Sequence, residues 1–194
     1  DILVGTQMVA KGHDFANVGL VVVLNPDAQM LSPATRAREQ LFATLMQVAG
    51  RAGRAGAQGE VLIQTRFQDD PLFAALARQD YVAFADAVLE DRRANMAVPY
   101  VHQAMLYAEA KSLAEAEFFL TEAVEIGMRE APPEVRIYDP VPMPLMRLMN
   151  VERAQLLVEA DERPALQAFL ARWRQSLRAR AGVEWTMEVD PLEA

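Results

Sequence analysis

Three short apolar runs constrain this chain most: ILV at 2–4, LVVVL at 20–24 and EVLIQT at 60–65. Their hydrophobicity is continuous rather than alternating, which predicts strands buried on both faces, as in a parallel sheet covered by helices. Between the second and third runs a helical pattern covers about residues 34–50, with Pro33 before it and Ser32 as its expected N-cap. Leu41, Leu45 and Val48 share one stripe of that helix, widened by Phe42, Met46 and Ala49. Gln47, Arg51 and Arg54 share a stripe roughly opposite. Glycine costs a helix interior about 1 kcal/mol relative to alanine. The two glycines in QVAGRAGR (47–54) are therefore expected to end the helix and open a close approach on the polar side.

The rhythm changes after this α/β part. Residues 71–95 read as two short helices, the second with Tyr81, Phe84, Ala85, Val88 and Leu89 as its buried face. Beyond Pro99 an apolar segment at about 101–110 precedes SLAEAEFFLTEAVEIG, a helix with Ser112 as cap, Glu115 at N3 and Gly127 at its end. The short strand VRIY, the Pro-rich linker DPVPMP and the run AQLLVEA follow. A helix over about 163–180 then carries Leu166, Phe169, Leu170, Trp173 and Leu177 on one face, and the alternating strand VEWTMEV closes the pattern. The order βαββαβ predicts an α+β sandwich with both helices on one face of a mainly antiparallel sheet. Trp173 and Trp185 read as core residues rather than base-stacking platforms. The expected boundaries are 1–70 for the α/β part, 71–97 for a helical connector and 98–194 for the sandwich.

Composition narrows the function classes. The net charge of −8 argues against a surface generally coated by nucleic acid, but residues 1–66 carry six Lys/Arg against five Asp/Glu and hold local cationic sites. No cysteine is present, which excludes disulfides and thiolate metal sites and fits a cytoplasmic location. No run of eighteen apolar residues is available to cross a membrane. The segment GTQMVAKGHDF directly follows the first apolar run, where an α/β sheet presents loops to a ligand crevice. Gly5 and Gly12 let its backbone approach a partner, while Thr6, Gln7 and Lys11 offer donors and a positive charge suited to phosphate.

The order strand–GTQMVAKGHDF–NVGLVVVLNPD–helix–QVAGRAGR–strand resembles the second RecA-like motor lobe of superfamily 2 helicases, in its motifs V and VI. It is most similar to the primosomal replication-restart helicases, the primosomal protein N′ (PriA) family. RIYDPVPMPLMRLMNVERAQLLVEA and the closing VEWTMEVDPLEA resemble that family's C-terminal domain, so the likeness covers essentially all 194 residues. It implies the C-terminal portion of an ATP-dependent 3′→5′ DNA helicase that restarts replication and assembles the primosome at stalled forks. By resemblance, Arg51 and Arg54 face the nucleotide and stabilise charge on the transferring γ-phosphoryl group, which suits guanidinium because it stays charged and binds bidentately. Gln47 positions the water or the phosphate. Asp14 contacts the ribose or couples to that site, and Gly12 and Gly50 border the nucleotide. Gly5, Thr6, Gln7 and Lys11 track the backbone of single-stranded DNA.

The resemblance also implies ATP with Mg²⁺ in the full-length protein and a zinc module upstream of Asp1. Forked and single-stranded DNA, the single-stranded DNA-binding protein and other primosomal proteins are the implied partners, with no membrane. Arg163 and Gln167, spaced i, i+4, offer donors to the acidic tail of the single-stranded DNA-binding protein; they equally read as exposed polar helix residues. PATRARE stands where the family shows a DFRA-like segment, and EVDP where it shows DVDP. The chain has no GxxxxGK[ST] phosphate loop, and we assign it no DEx-type Mg²⁺ motif. Alone, these residues are expected neither to hydrolyse ATP nor to unwind DNA, and a three-strand sheet is expected to expose an apolar edge or face. The rival reading is a non-catalytic scaffold that binds protein or nucleic acid through its βαββαβ domain.

Overall fold

The computed structural model of the chain describes residues 2–5, 18–32, 34–50, 52, 59–148 and 150–192, with the backbone alone at 144–148. These residues form two compact units, one up to Glu90 and one from Asp91 to Leu192.

In the first unit, β1 (Leu20–Leu24) and β2 (Glu60–Gln64) pair in parallel, from Leu20 opposite Glu60 to Leu24 opposite Gln64. The short α1 (Asp27–Met30) and then α2 (Ala37–Ala49) lie between them in sequence. α3 (Pro71–Ala77) and α4 (Tyr81–Ala94) follow β2. The core joins Leu41, Phe42 and Leu45 of α2 to Leu72, Ala75 and Leu76 of α3 and Phe84 of α4, with Val23 and Ile63 packed against it from the strands. The Phe42 and Phe84 rings stack 4.0 Å apart. The Asp70 carboxylate caps α3 through the Leu72 amide (2.9 Å) and accepts from Arg38 of α2 (2.7 Å), so one side chain fixes the helix start and its neighbour.

Several expectations need correction here. Ile2, Leu3 and Val4 form no strand and are exposed, leaving a two-stranded sheet rather than three. Both strands are covered on one side only: Leu20, Val22, Leu24 and Leu62 face outward because the helices present lie on the Val23 and Ile63 side. Ser32 does not cap α2; its hydroxyl accepts from the Ala34 amide in the preceding turn, and Arg36 occupies the N-cap position without a side-chain bond. In α4 only Phe84 is buried, and Tyr81 and Leu89 are exposed.

The second unit has the expected two layers. β3 (His102–Ala110) runs antiparallel to β6 (Val151–Ala160) on one side and to β7 (Val183–Val189) on the other. β4 (Val135–Ile137) pairs with the end of β6, and β5 (Val141–Leu148) with its beginning. The expected linker DPVPMP therefore enters a strand. Its prolines are tolerated because β5 is an edge strand with an irregular register between Pro142 and Arg147. α5 (Leu113–Glu130) and α6 (Arg163–Ser176) share one core with Ala104, Leu106, Ala108 and Ala110 of β3 and Ala154, Leu156, Val158 and Ala160 of β6. These are alternate residues on each strand, so both helices lie on the same face of the sheet.

Ser112 and Glu115 close a reciprocal capping box at the start of α5. The helix does not stop at Gly127 but continues to Glu130, before Pro132. Gly127 is instead a contact point. A Cβ there would lie 2.6 Å from Ile137 Cδ1 and 3.0 Å from Trp173 Nε1. Trp173 is fully buried and donates to the Ala123 carbonyl at 3.0 Å, so the indole cannot retreat without breaking that bond. α6 ends at Ser176, short of the expected 180, and Trp185 packs against the core beside Phe119. Gly127→Val is expected to destabilise the chain by about 2–3 kcal/mol through overpacking. Gly19→Ala, where nothing lies within 4 Å, is expected to leave stability unchanged. Urea unfolding of the two variants checks both.

Candidate functional site

The polar face of α2 is where the first set of expected site residues begins. Gln47 is exposed, on the side away from Leu41, Phe42 and Leu45. Gly50 is the C-cap, exposed, and its amide bonds to the Met46 carbonyl at 3.0 Å. Its φ of −65° is right-handed, so the helix does not end here through a left-handed glycine. A Cβ at Gly50 would meet only the carbonyl oxygens of Met46 and Gln47, at 3.5 and 3.7 Å, which is ordinary contact. Neither its conformation nor its packing against the described residues therefore calls for glycine at this position. Gly5 is exposed and outside regular structure. Arg51, Arg54, Gly12, Asp14, Thr6, Gln7 and Lys11 lie outside the described residues.

At the carboxyl ends of the two parallel strands the structure adds a residue that periodicity could not single out. The Asp27 carboxylate accepts from the Thr65 hydroxyl (2.5 Å) and the Arg66 amide (3.0 Å), clasping the turn after β1 to the segment after β2. The Thr65 hydrogen bond is the main cause of a carboxyl pKa below its ordinary 3.8, followed by the Arg66 amide. Both bonds favour the charged form, so the clasp is complete above the ordinary value and lost only as pH falls through the lower folded one. An NMR titration is expected to give Asp27 a midpoint below 3.8, so that at pH 3.8 its side chain is more than half ionised, with the Arg66 amide shift following the same midpoint.

The second unit holds a groove of about 510 Å³ lined by residues including Met96, Gln103, Arg136, Tyr138, Glu159 and Asp161. Glu159 lies at its base, 8% exposed, and accepts from Gln103 (2.7 Å) and the Tyr138 hydroxyl. That hydrogen bond, with burial, pushes the Tyr138 pKa above its ordinary value. Arg136 reaches Asp161 at 2.8 Å and Glu159 at 3.8 Å, and the Asp161 bond raises its pKa. Both carboxylate oxygens of Glu159 thus have donors, and the network holds β4 to β6. Asp161–Glu162, the chain's single Asp-Glu dipeptide, forms the turn from β6 into α6 rather than a nucleotide-facing loop.

Arg163 and Gln167 are both exposed at the start of α6, as their spacing predicts. Arg163 already has a carboxylate: Nη1 lies 2.6 Å from Asp190 Oδ2, at the end of β7. The geometry of the two units leaves open which proteins share this combination, and the sequence comparisons decide it. Residues 93–192 match the primosomal protein N C-terminal domain. The chain belongs to that family. Residues 1–56 match the helicase conserved C-terminal domain. Replication restart protein PriA of Haemophilus influenzae is 38% identical over 191 residues, which cover 98% of this chain and 26% of the relative. The Treponema pallidum protein of the same name is 32% identical over 192 residues, 99% of this chain and 29% of the relative. The Bacillus subtilis one is 32% identical over 170 residues, 88% of this chain and 21% of the relative. The chain thus spans about a quarter of the length of these curated relatives.

Proposed function

We propose that this chain works as the C-terminal part of an ATP-dependent 3′→5′ DNA helicase, the part that contributes nucleotide-facing arginines and single-strand contacts to a larger motor for replication restart. One observation carries the reading. A helicase C-terminal match and a primosomal protein N match follow each other along one chain, and relatives named for replication restart align across 98% of it. In this reading Arg51 and Arg54 stabilise the charge that develops on the γ-phosphoryl group, and Gln47 orients the attacking water or the phosphate. Asp14, Gly12 and Gly50 border the nucleotide; Gly5, Thr6, Gln7 and Lys11 hold the DNA backbone. The exposure of Gln47 and Gly50 is compatible with a ligand on that side of α2.

ATP is the substrate of such a motor, and Mg²⁺ its usual companion. Among the described residues no group of three His, Asp or Glu side chains converges to hold a metal ion, so no step is assigned to metal ligands here. The chain has no cysteine to contribute to a zinc module. Forked DNA and primosomal proteins are the partners of this reading. Arg163 and Gln167 take a carboxylate from the acidic tail of the single-stranded DNA-binding protein.

In the full-length protein, Arg51→Ala or Arg54→Ala is expected to lower DNA-stimulated ATP hydrolysis by about 10³-fold or more, the scale of arginine fingers, while ATP binding changes only a few-fold. Hydrolysis at the wild-type rate in both variants would refute the assignment. Gly50→Ala separates fold from function. Thermal unfolding is expected to show stability unchanged or raised by up to about 1 kcal/mol. Hydrolysis is expected to fall, because in this reading Gly50 borders the nucleotide and an added methyl group narrows that approach.

A further inference from the structure

The pairing of Arg163 bears on how a partner reaches it. The guanidinium stands at the first turn of α6, and Asp190 comes from the far end of β7, 27 residues later. Asp190 is presented deliberately: its amide bonds to the Gln103 carbonyl at 2.9 Å, and its φ of 54° is left-handed, which aims the side chain out of the strand line. Both partners are about half exposed, 49% and 46%, so the pair is open to solvent and to a competing ion. Among the described residues only Nη1 is engaged, by one oxygen. Gln167, one turn along, is exposed and bonds to no described side chain, and Val189 and Leu192, flanking Asp190 in sequence, expose apolar surface.

We propose that Asp190 is an internal competitor: it occupies Arg163 in the free protein and must be displaced when an acidic partner peptide delivers its own carboxylate. The proposal rests on the reading of Arg163 and Gln167 as the carboxylate-binding pair. An exposed ion pair is weak, so the competitor costs the partner little affinity, but it keeps Arg163 from engaging stray anions. A partner with one carboxylate exchanges like for like. A peptide with several acidic groups gains contacts that Asp190 cannot match, because Gln167 and the remaining guanidinium donors are still available.

The test measures binding of a fluorescein-labelled acidic peptide with a free C-terminal carboxylate to the intact protein, by anisotropy at low ionic strength, where exposed pairs are screened least. Asp190→Asn keeps a residue that tolerates left-handed φ and is expected to tighten binding about two- to five-fold. Glu188→Gln, which removes the same charge from an exposed position on β7 with no ion-pair partner among the described residues, is expected to leave it unchanged. Arg163→Ala is expected to weaken binding at least about tenfold, and Asp190→Asn to add nothing in that background. If Asp190→Asn binds no better while Arg163→Ala still loses affinity, competition is overturned and the carboxylate pair stands. If Glu188→Gln tightens binding as much as Asp190→Asn, the effect is general charge and the proposal also falls. If Arg163→Ala binds like the wild type, the reading of the pair fails and takes the proposal with it.

Discussion

Nine residues of β3 pair with β6, from His102 opposite Ala160 to Ala110 opposite Glu152, and the alanines along that ladder set the geometry of the second unit. Ala104, Ala108, Ala110, Ala154 and Ala160 all face the helices and are almost wholly buried. Small side chains on the strands bring α5 and α6 close to the sheet, and the volume is filled from the helix side by Phe119, Leu120, Phe169 and Trp173. The same close packing reaches Gly127, where the helices meet with no room for a methyl group. Everything polar in this unit is arranged around that dry layer, including the cap of α5 and the ion pair that brackets α6.

The first unit rests on a thinner base. Two parallel strands cannot form a stable sheet alone, and these depend on the α2–α3–α4 cluster for their covered side. Their other side keeps Leu20, Val22, Leu24 and Leu62 in water. Four outward aliphatics on one small sheet form an apolar surface of a kind that soluble domains usually cover. Apolar runs as continuous as LVVVL arise where both faces of a strand are buried, and here one face is partly buried and the other exposed.

This contrast explains what was legible in the residues. Apolar runs located β1, β2, β3 and β6, and periodicity located β7 and every helix of three turns or more, because burial on one stripe leaves a repeating mark. The Ser112–Glu115 box and the Trp173 stripe were readable for the same local reason. The errors came from tertiary context. A glycine near a helix end looks like a stop signal, but at Gly127 the cause is an indole 46 residues away. Prolines look like linker, but Pro142 sits on an edge strand that needs no donor from it. Ile2–Val4 reads as a strand, yet no strand pairs with it among the described residues. Asp27 in NPDAQ carries no periodic signal, and its role depends on Thr65 and Arg66 arriving from another strand.

A two-layer sandwich of this kind hosts many functions, so the fold of the second unit does not choose among them. The chemistry of its open face does bear on the choice. With Ala104, Leu106 and Ala108 turned inward, the alternate positions Gln103, Met105, Tyr107 and Glu109 face away from the helices, joined by Arg153, Gln155, Leu157 and Glu159 of β6 and Glu184, Thr186 and Glu188 of β7; Met105 is buried at the middle of this face. Arg153 is already paired with Glu109 at 2.8 Å, and Glu159 is locked to Gln103 and Tyr138. Sheet faces that read single strands present aromatic platforms within a cationic field. Here Tyr107 and Tyr138 stand among four glutamates, and the arginines described beside them, Arg136 and Arg153, are each already paired with a carboxylate. The cations of this unit whose side chains have no partner among the described residues are Arg93 on α4, Lys111 before α5, Arg129 in the last turn of α5, Arg172 and Arg174 on α6, and Arg178 just beyond it.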